Sequence, residues 1–363
     1  MTSERKDNHV ALAMDQNRGV RGRNDFDDVE LLHHALAGID PATVSLGTTV
    51  GGVTWDVPFY INGMTGGSTS TGEINRTLAI AARETGIPMA SGSMSIALKD
   101  PSQTPTFQVI REENPDGFVM ANLGADHGVD NALRVIELLQ ADALQIHVNA
   151  MQETVMPEGS RDFSAWPATI EAVVAAVPVP VVVKEVGFGL SRRTIETLTG
   201  LGVTVADVSG RGGTNFARIE NSRRAGGDYA YLEGWGQSTV SCLLDAPRDF
   251  PTLLASGGVR NPLDVLKALA LGAKGVGVAG TFLALAVDGG VDALVTEINR
   301  WKEHLAQLMA TVGAPTVPAL TGTDLLVRGS VREFCELRGI DAAALSARSA
   351  AATDDTRGGR HGR

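Results

Sequence analysis

The stretch His147-Val-Asn-Ala-Met-Gln-Glu153 places a histidine, two amides and a carboxylate within seven residues. It follows the largely apolar run Ala143–Ile146, so these groups stand just beyond the end of a buried strand. A histidine there could be a core residue bonded to a backbone carbonyl. With Asn149, Gln152 and Glu153 beside it, a site is the better reading. Glu153 is the candidate metal ligand, because a lone carboxylate completed by phosphate oxygens and water suits Mg²⁺. The plain alternative is a solvated loop glutamate. Gln152 and His147 are the candidate catalytic groups. An amide does not titrate usefully, so Gln152 would orient a substrate or relay a proton rather than act as an acid.

Other strand ends carry similar signals. Lys184 closes the run "VPVVVK", where a lysine either snorkels at a rim or points into a site. A cation there would stabilise an anionic reduced flavin ring. "ASGGVRNP" (255–262) and "VGVAGTF" (276–282) place glycines and a helix start after two late strands, the arrangement of a barrel phosphate site.

The elements that must hold these groups are eight β-rich runs. They are Val57–Asn62, Ile87–Ser91, Gly117–Asn122, Ala143–His147, Val179–Glu185, Val203–Ser209, Thr252–Ser256 and Gly275–Ala279. They read as continuous apolar runs more than as alternating ones, as parallel strands covered on both faces do. Helical patterns separate most of them: Thr71–Glu84 with a Thr cap, Asp130–Leu139, Ser164–Val177, Ser191–Leu201 and Pro262–Leu271. The expectation is an α/β protein, a (β/α)₈ TIM barrel, with a doubly wound sheet as the alternative. One domain spans 1–345. Residues 1–56 are an N-terminal arm and a β-hairpin (Thr43–Trp55) that closes the barrel bottom. Residues 214–249 are a lid-like insertion after the sixth strand, and 346–363 a disordered tail.

Composition narrows the function. The 363 residues carry 31 Lys and Arg against 42 Asp and Glu, a net charge of −11, which disfavours nucleic-acid binding. The start MTSERKDNHV lacks an apolar signal core, and no window holds 18 uninterrupted apolar residues, so a cytoplasmic protein with no membrane partner is expected. Cys242 and Cys335 have no metal-type spacing and read as buried packing residues. Arg5, Lys6 and His9 form a small cationic cluster whose plain reading is a frayed terminus.

Taken together, "RKDNH", "MTGG", "HVNAMQE", "KEVG", "SGRGGTN", "ASGGVR" and "GVAGT" resemble, in order, the type 2 isopentenyl diphosphate isomerases. The resemblance runs from Arg5 to about Arg338. It implies an FMN site built from Met64, Thr65, Gly66, Ser93, Asn122, Lys184, Ser209 and Thr214, with Gly258, Val259, Arg260, Ala279 and Gly280 on the FMN phosphate. It implies a substrate diphosphate held by Arg5, Lys6, His9 and Ser93, with Mg²⁺ on Glu153, NADPH to reduce the flavin, and Gln152 near the alkene. Substrate contacts are also expected at Asn149, Met94 and Ser95. The last two stand where many members have Gln-Arg, and Asn215-Phe216 stands where members often have Ser-Trp. A homo-oligomer, tetramer or octamer, is expected.

The reaction so implied interconverts isopentenyl and dimethylallyl diphosphate by a 1,3-allylic proton shift, with reduced FMN as acid and base. Two alternatives stay open. A 2-hydroxy acid oxidase would need a His base near the sixth strand end, and "SGRGGTNF" has none. A non-catalytic flavin-binding protein would have no use for Lys6, Gln152 and Glu153.

Overall fold

Each of the eight runs forms a strand, and each strand hands the chain to a turn and a helix. The computed structural model describes residues 3–18, 22–226 and 228–350, with the side chains of 3–5, 17 and 18 outside that description. Three short strands come first: β1 (Val29–Leu31), β2 (Thr48–Val50) and β3 (Val53–Trp55). The barrel strands are β4 (Phe59–Ile61), β5 (Met89–Ala90), β6 (Val119–Gly124), β7 (Ala143–His147), β8 (Val181–Lys184), β9 (Val205–Asp207), β10 (Thr252–Ser256) and β11 (Gly275–Val278). All pair in parallel, and β11 pairs with β4 to close the barrel. β12 (Leu325–Val327) pairs antiparallel with β1 outside it.

Helix α1 (Ser3–Arg18) precedes the barrel. Helices α2 (Thr69–Thr85), α3 (Ser95–Lys99), α4 (Pro105–Glu113) and α5 (Val129–Leu139) serve its first half. Then come α6 (Ala150–Val155), α7 (Trp166–Ala176), α8 (Arg192–Gly200), α9 (Phe216–Ser222) and α10 (Thr239–Asp245). The chain finishes with α11 (Pro262–Ala270), α12 (Gly280–Thr311, broken at Gly290), α13 (Gly329–Arg338) and α14 (Ala342–Leu345). The cap of α2 is Ser68, not Thr71. Thr71 sits three residues further on and completes a reciprocal capping box.

The hairpin β2–β3 packs under the barrel. Trp55 packs with Tyr60 and Phe118 at ring separations of 5.5 Å, against the inward residues Ala90, Met120, Ala143, Val182, Val205 and Leu254. Towards the other end the inward positions change character. Tyr60 is followed two residues on by Asn62, Met120 by Asn122, Ala143 by Gln145 and His147, Val182 by Lys184, Val205 by Asp207, and Leu254 by Ser256. Period-2 alternation therefore stacks an apolar layer beneath a polar one. Tyr60 donates to Asp207 Oδ2 (2.9 Å), Ser256 donates to the same carboxylate (2.8 and 2.9 Å), and Asn122 Nδ2 donates to Gln145 Oε1 (3.1 Å). This buried network is the floor of the cavity described next.

Two boundaries differ from the sequence reading. The segment 214–249 is not one lid. Its end, α10, is the helix that follows β9 and packs on β10 and α13, while α9 docks on α6. Between them Tyr231 and Trp235 are exposed, while Tyr229 and Leu232 pack against Val155, Phe188 and Ala217. The tail begins later than residue 346. Ser349 donates to Asp324 Oδ2 (2.6 Å) and Arg348 to Ala270 O (2.7 Å), so 346–350 are anchored. Residues 351–363 lie outside the described part.

Candidate active site

A cavity of about 430 Å³ opens where the barrel strands end. Of the expected residues, its lining includes Lys6, His9, Met64, Thr65, Ser93, Ser95, Asn122, His147, Asn149, Gln152, Glu153, Lys184, Ser209, Thr214, Gly258, Val259, Arg260, Ala279 and Gly280. Arg5 lies on α1, with its side chain outside the described part. Two expected residues are not on the lining. Met94 is fully buried, because its position starts α3 and turns the side chain into the core. Gly66 takes φ +146°, and a Cβ there would strike the Phe107 ring, so it serves the turn and not the cavity wall.

One side of the cavity is a glycine cradle. Gly257 and Gly258 both have positive φ, and a Cβ on either would meet the backbone of Gly210 or Gly212. The strand-end loops thus approach one another through backbone alone, and Gly257, Gly258 and the start of α12 at Gly280 line the space. Asn24, after α1, reaches over and donates to Gly258 O (2.8 Å). Arg260 differs from expectation in its side chain. The guanidinium is clamped between Asp27 (2.6 and 3.0 Å) and Asp264 (2.8 and 3.1 Å), which raises its already high pKa. Its charge ties residues 24–28 to α11 before it can serve an anion.

Lys184 is buried among the inward polar residues, and Nζ donates to Glu185 O (2.8 Å). Burial lowers its pKa, while the charges of Asp207 and Glu185 oppose that. Burial raises Glu185 to about 7, against the N–H groups of Phe188, Val186 and Gly189 that cap it. His147 Nδ1 lies 2.9 Å from Asn122 Oδ1. The amide oxygen can only accept, so Nδ1 carries the proton and Nε2 is left as an acceptor. Burial, then the charges of Lys184 and Lys6, hold its pKa at about 3. His147 is therefore neutral near pH 7.

Gln152 and Glu153 sit in the first turn of α6, not on a loop. Their side chains are coupled through Asn149, whose Nδ2 donates to Gln152 Oε1 and Glu153 Oε1, both at 3.2 Å. They diverge beyond it. Glu153 Oε2 accepts from Ser160 N (2.8 Å), whereas Gln152 Nε2 donates to Glu220 Oε1 (2.9 Å). Among the described residues no cluster of three or more His, Cys, Asp or Glu could hold a metal unaided.

Sequence reasoning missed Glu220. It is fully buried on α9, 3.2 Å from His9 Nε2, and also takes a hydrogen bond from Arg223. Burial would raise its pKa, but His9, Gln152 and Arg223 outweigh that and hold it at about 2. Asn24, Lys99, Asp126 and His127 were missed as well. The cationic cluster on α1 is no frayed end. Lys6 is 8% exposed and donates to Ser93 O (3.4 Å), and Gln16 exchanges two hydrogen bonds with Asn215 (2.8 and 3.3 Å). Helix α1 lies along the cavity mouth. Cys242 is absent from the lining and buried in α10, and burial pushes its thiol up, so it is no nucleophile here.

Barrel and cradle together define a class, the FMN-dependent α/β barrels. Residues 110–327 match the FMN-dependent dehydrogenase family model. Solved structures agree on the fold: a mandelate oxidase variant superposes with TM-score 0.62 at 18% identity, covering 89% of this chain and 94% of its own. A flavocytochrome b2 variant gives 0.63 at 19%, covering 88% and 81%. Curated sequences are more specific. An isopentenyl-diphosphate delta-isomerase of Kitasatospora griseola is 60% identical over 97% of this chain and 96% of the relative. One from Streptomyces sp. (strain CL190) is 59% identical over 96% of each, and one from Listeria welshimeri is 46% identical over 96% and 98%. The chain belongs to the isopentenyl-diphosphate delta-isomerase family, on its flavin-barrel branch.

Proposed function

We propose that the protein interconverts isopentenyl and dimethylallyl diphosphate with FMN bound in the barrel mouth. The observation that carries this reading is the meeting of two unlike surfaces in one cavity. One is the glycine cradle with buried Lys184. The other is the wall of Lys6, His9 and Ser93 facing Gln152 and Glu153. Ser93 could serve either group, but a flavin alone has no use for Lys6, Gln152 and Glu153.

The cradle suits a phosphomonoester: Gly257 and Gly258 admit it by backbone, and the start of α12 favours its charge. Lys184, with Met64, Thr65, Asn122, Ser209 and Thr214, would hold the ring and its chain. Reduced FMN, when bound, supplies the acid and base for the proton shift, with no net redox change. NADPH would serve only to reduce it. The protein's own residues bind, orient and exclude water. Lys6 and His9 on α1 would hold the diphosphate. Glu153 would hold Mg²⁺ against it, its carboxylate steadied by the Asn149 amide on one oxygen and the Ser160 N–H on the other. Gln152, held between Asn149 and Glu220, would present a fixed amide to the hydrocarbon end. His147, neutral, would accept through Nε2.

The cavity wall bears on the oxidase alternative too: among the described residues the histidines on it are His9, His127 and His147, none at the β9 or β10 ends. A direct test offers the reduced, FMN-loaded protein isopentenyl diphosphate with Mg²⁺, and in parallel a panel of 2-hydroxy acids with the oxidised protein. Dimethylallyl diphosphate from the first and no flavin reduction from the second is the expected pair of results. The reverse pair would make it an oxidase. We expect a homo-oligomer, checked by light scattering.

A further inference from the structure

One wall of the cavity has polar order that neither the flavin cradle nor the Glu153 corner explains. It runs from Ser93 through Ser95 to His127, all on the cavity lining. Ser93 Oγ lies 2.9 Å from Ser95 Oγ, and Ser95 Oγ lies 2.8 Å from His127 Nε2. His127 Nδ1 in turn lies 3.2 Å from Asn131 Nδ2, on α5.

The His127 tautomer, and with it the first step of this chain, follows from its far end. The Asn131 amide nitrogen can only donate, so His127 Nδ1 must accept and stay unprotonated. A neutral imidazole with a bare Nδ1 carries its proton on Nε2, which then donates to Ser95 Oγ. Burial lowers the pKa of His127 and so favours that neutral form, with Asp126 opposing and Lys99 assisting. Ser95 Oγ keeps a second lone pair, but among the described residues Ser93 Oγ is the acceptor set within reach of its hydroxyl proton, and we assign the Ser95 proton to that contact. The Ser93 hydroxyl is then left to donate outward, into the cavity. Lys6 and Lys99 flank the same corner, with Asp126 as the opposing charge at its rim.

We propose that His127 is a positioning residue: acting through Ser95, it fixes the Ser93 hydroxyl as a donor to the phosphate oxygens of the substrate. This rests on the diphosphate reading above. It also accounts for Ser95, a small side chain at a place where a long cationic one would serve a phosphate directly. Ser95 instead passes the orientation set by a histidine on the next βα loop.

The test uses the FMN-loaded protein and inorganic pyrophosphate with Mg²⁺, followed by calorimetry, beside the KM and kcat for isopentenyl diphosphate. His127→Leu and Ser95→Ala should each weaken pyrophosphate binding on the order of tenfold, the worth of one hydrogen bond to a charged group. KM should rise more than kcat falls, and FMN affinity should not change. The double variant should be no weaker than either single one, because both cut the same chain. His127→Gln, whose amide nitrogen reaches the Nε2 position, should recover most of the affinity. Additive losses, unchanged pyrophosphate binding, or an equal fall in FMN affinity would overturn the proposal. Wild-type protein that binds pyrophosphate but does not isomerise would instead count against the proposed reaction, leaving the role of His127 to the binding data.

Discussion

At the scale of single residues, Gln152 and Glu153 are neighbours with different surroundings. Gln152 is buried between Asn149 and Glu220, and Glu153 faces Ser160 at the cavity rim. Gln152→Ala should lower kcat far more than it raises KM, because the proposed role of its amide, at the alkene, would be exerted in the transition state. Glu153→Gln keeps the shape and loses the charge, so it should raise the substrate KM and flatten the Mg²⁺ response. Steady-state kinetics across a Mg²⁺ titration separates the two, and identical defects in both variants would mean that Asn149 couples them into one unit. His147, Gln152, Glu153 and Lys184 were legible in the sequence, because polar groups after an apolar strand are conspicuous. Met94 and Gly66 were misread since their neighbours in sequence line the cavity, and only the turn geometry shows that they face elsewhere.

At the scale of elements, α1 and α9 brace the site from outside the barrel repeat. Deleting residues 1–9 removes Lys6 and His9 and leaves Glu220 buried with fewer partners. The substrate KM should rise, on the order of tenfold or more for the lost charged contacts, while FMN uptake stays intact. Kinetics of the truncated protein that match the full chain would return α1 to a packing role. Glu220 also makes a pH prediction. Its folded pKa, about 2, lies below the ordinary carboxylate value of 4.5, so the ionised group stabilises the fold above pH 4.5. That contribution, on the order of 1–3 kcal/mol, is lost as pH falls from 4.5 towards 2. Glu220→Gln should make the stability curve shallower in that window, as measured by urea unfolding at several pH values. The eight strands and the hairpin were legible from apolar runs between helical patterns. The α9 brace was not, because Glu220 lies in "ARIENSRR", where a charged residue reads as solvated surface, and it is packing against α6 and α1 that buries it.

At the scale of the whole molecule, the barrel divides its interior by the alternation of its strands. Apolar side chains and Trp55 fill the lower layer, and polar ones floor the cavity above. That division was hidden in the sequence, because outward residues on both sides of each inward one are also apolar and the runs look continuous. On the proposed reading, this cavity turns a flavin site into a site for moving a double bond without net oxidation. The most direct measurement is anaerobic turnover of isopentenyl diphosphate in D₂O by the reduced, FMN-loaded protein, with the flavin spectrum followed throughout. We expect dimethylallyl diphosphate carrying solvent deuterium, over many turnovers, with the flavin as reduced at the end as at the start. Product formed only in step with flavin oxidation, or no product from a protein that holds reduced FMN, would contradict it.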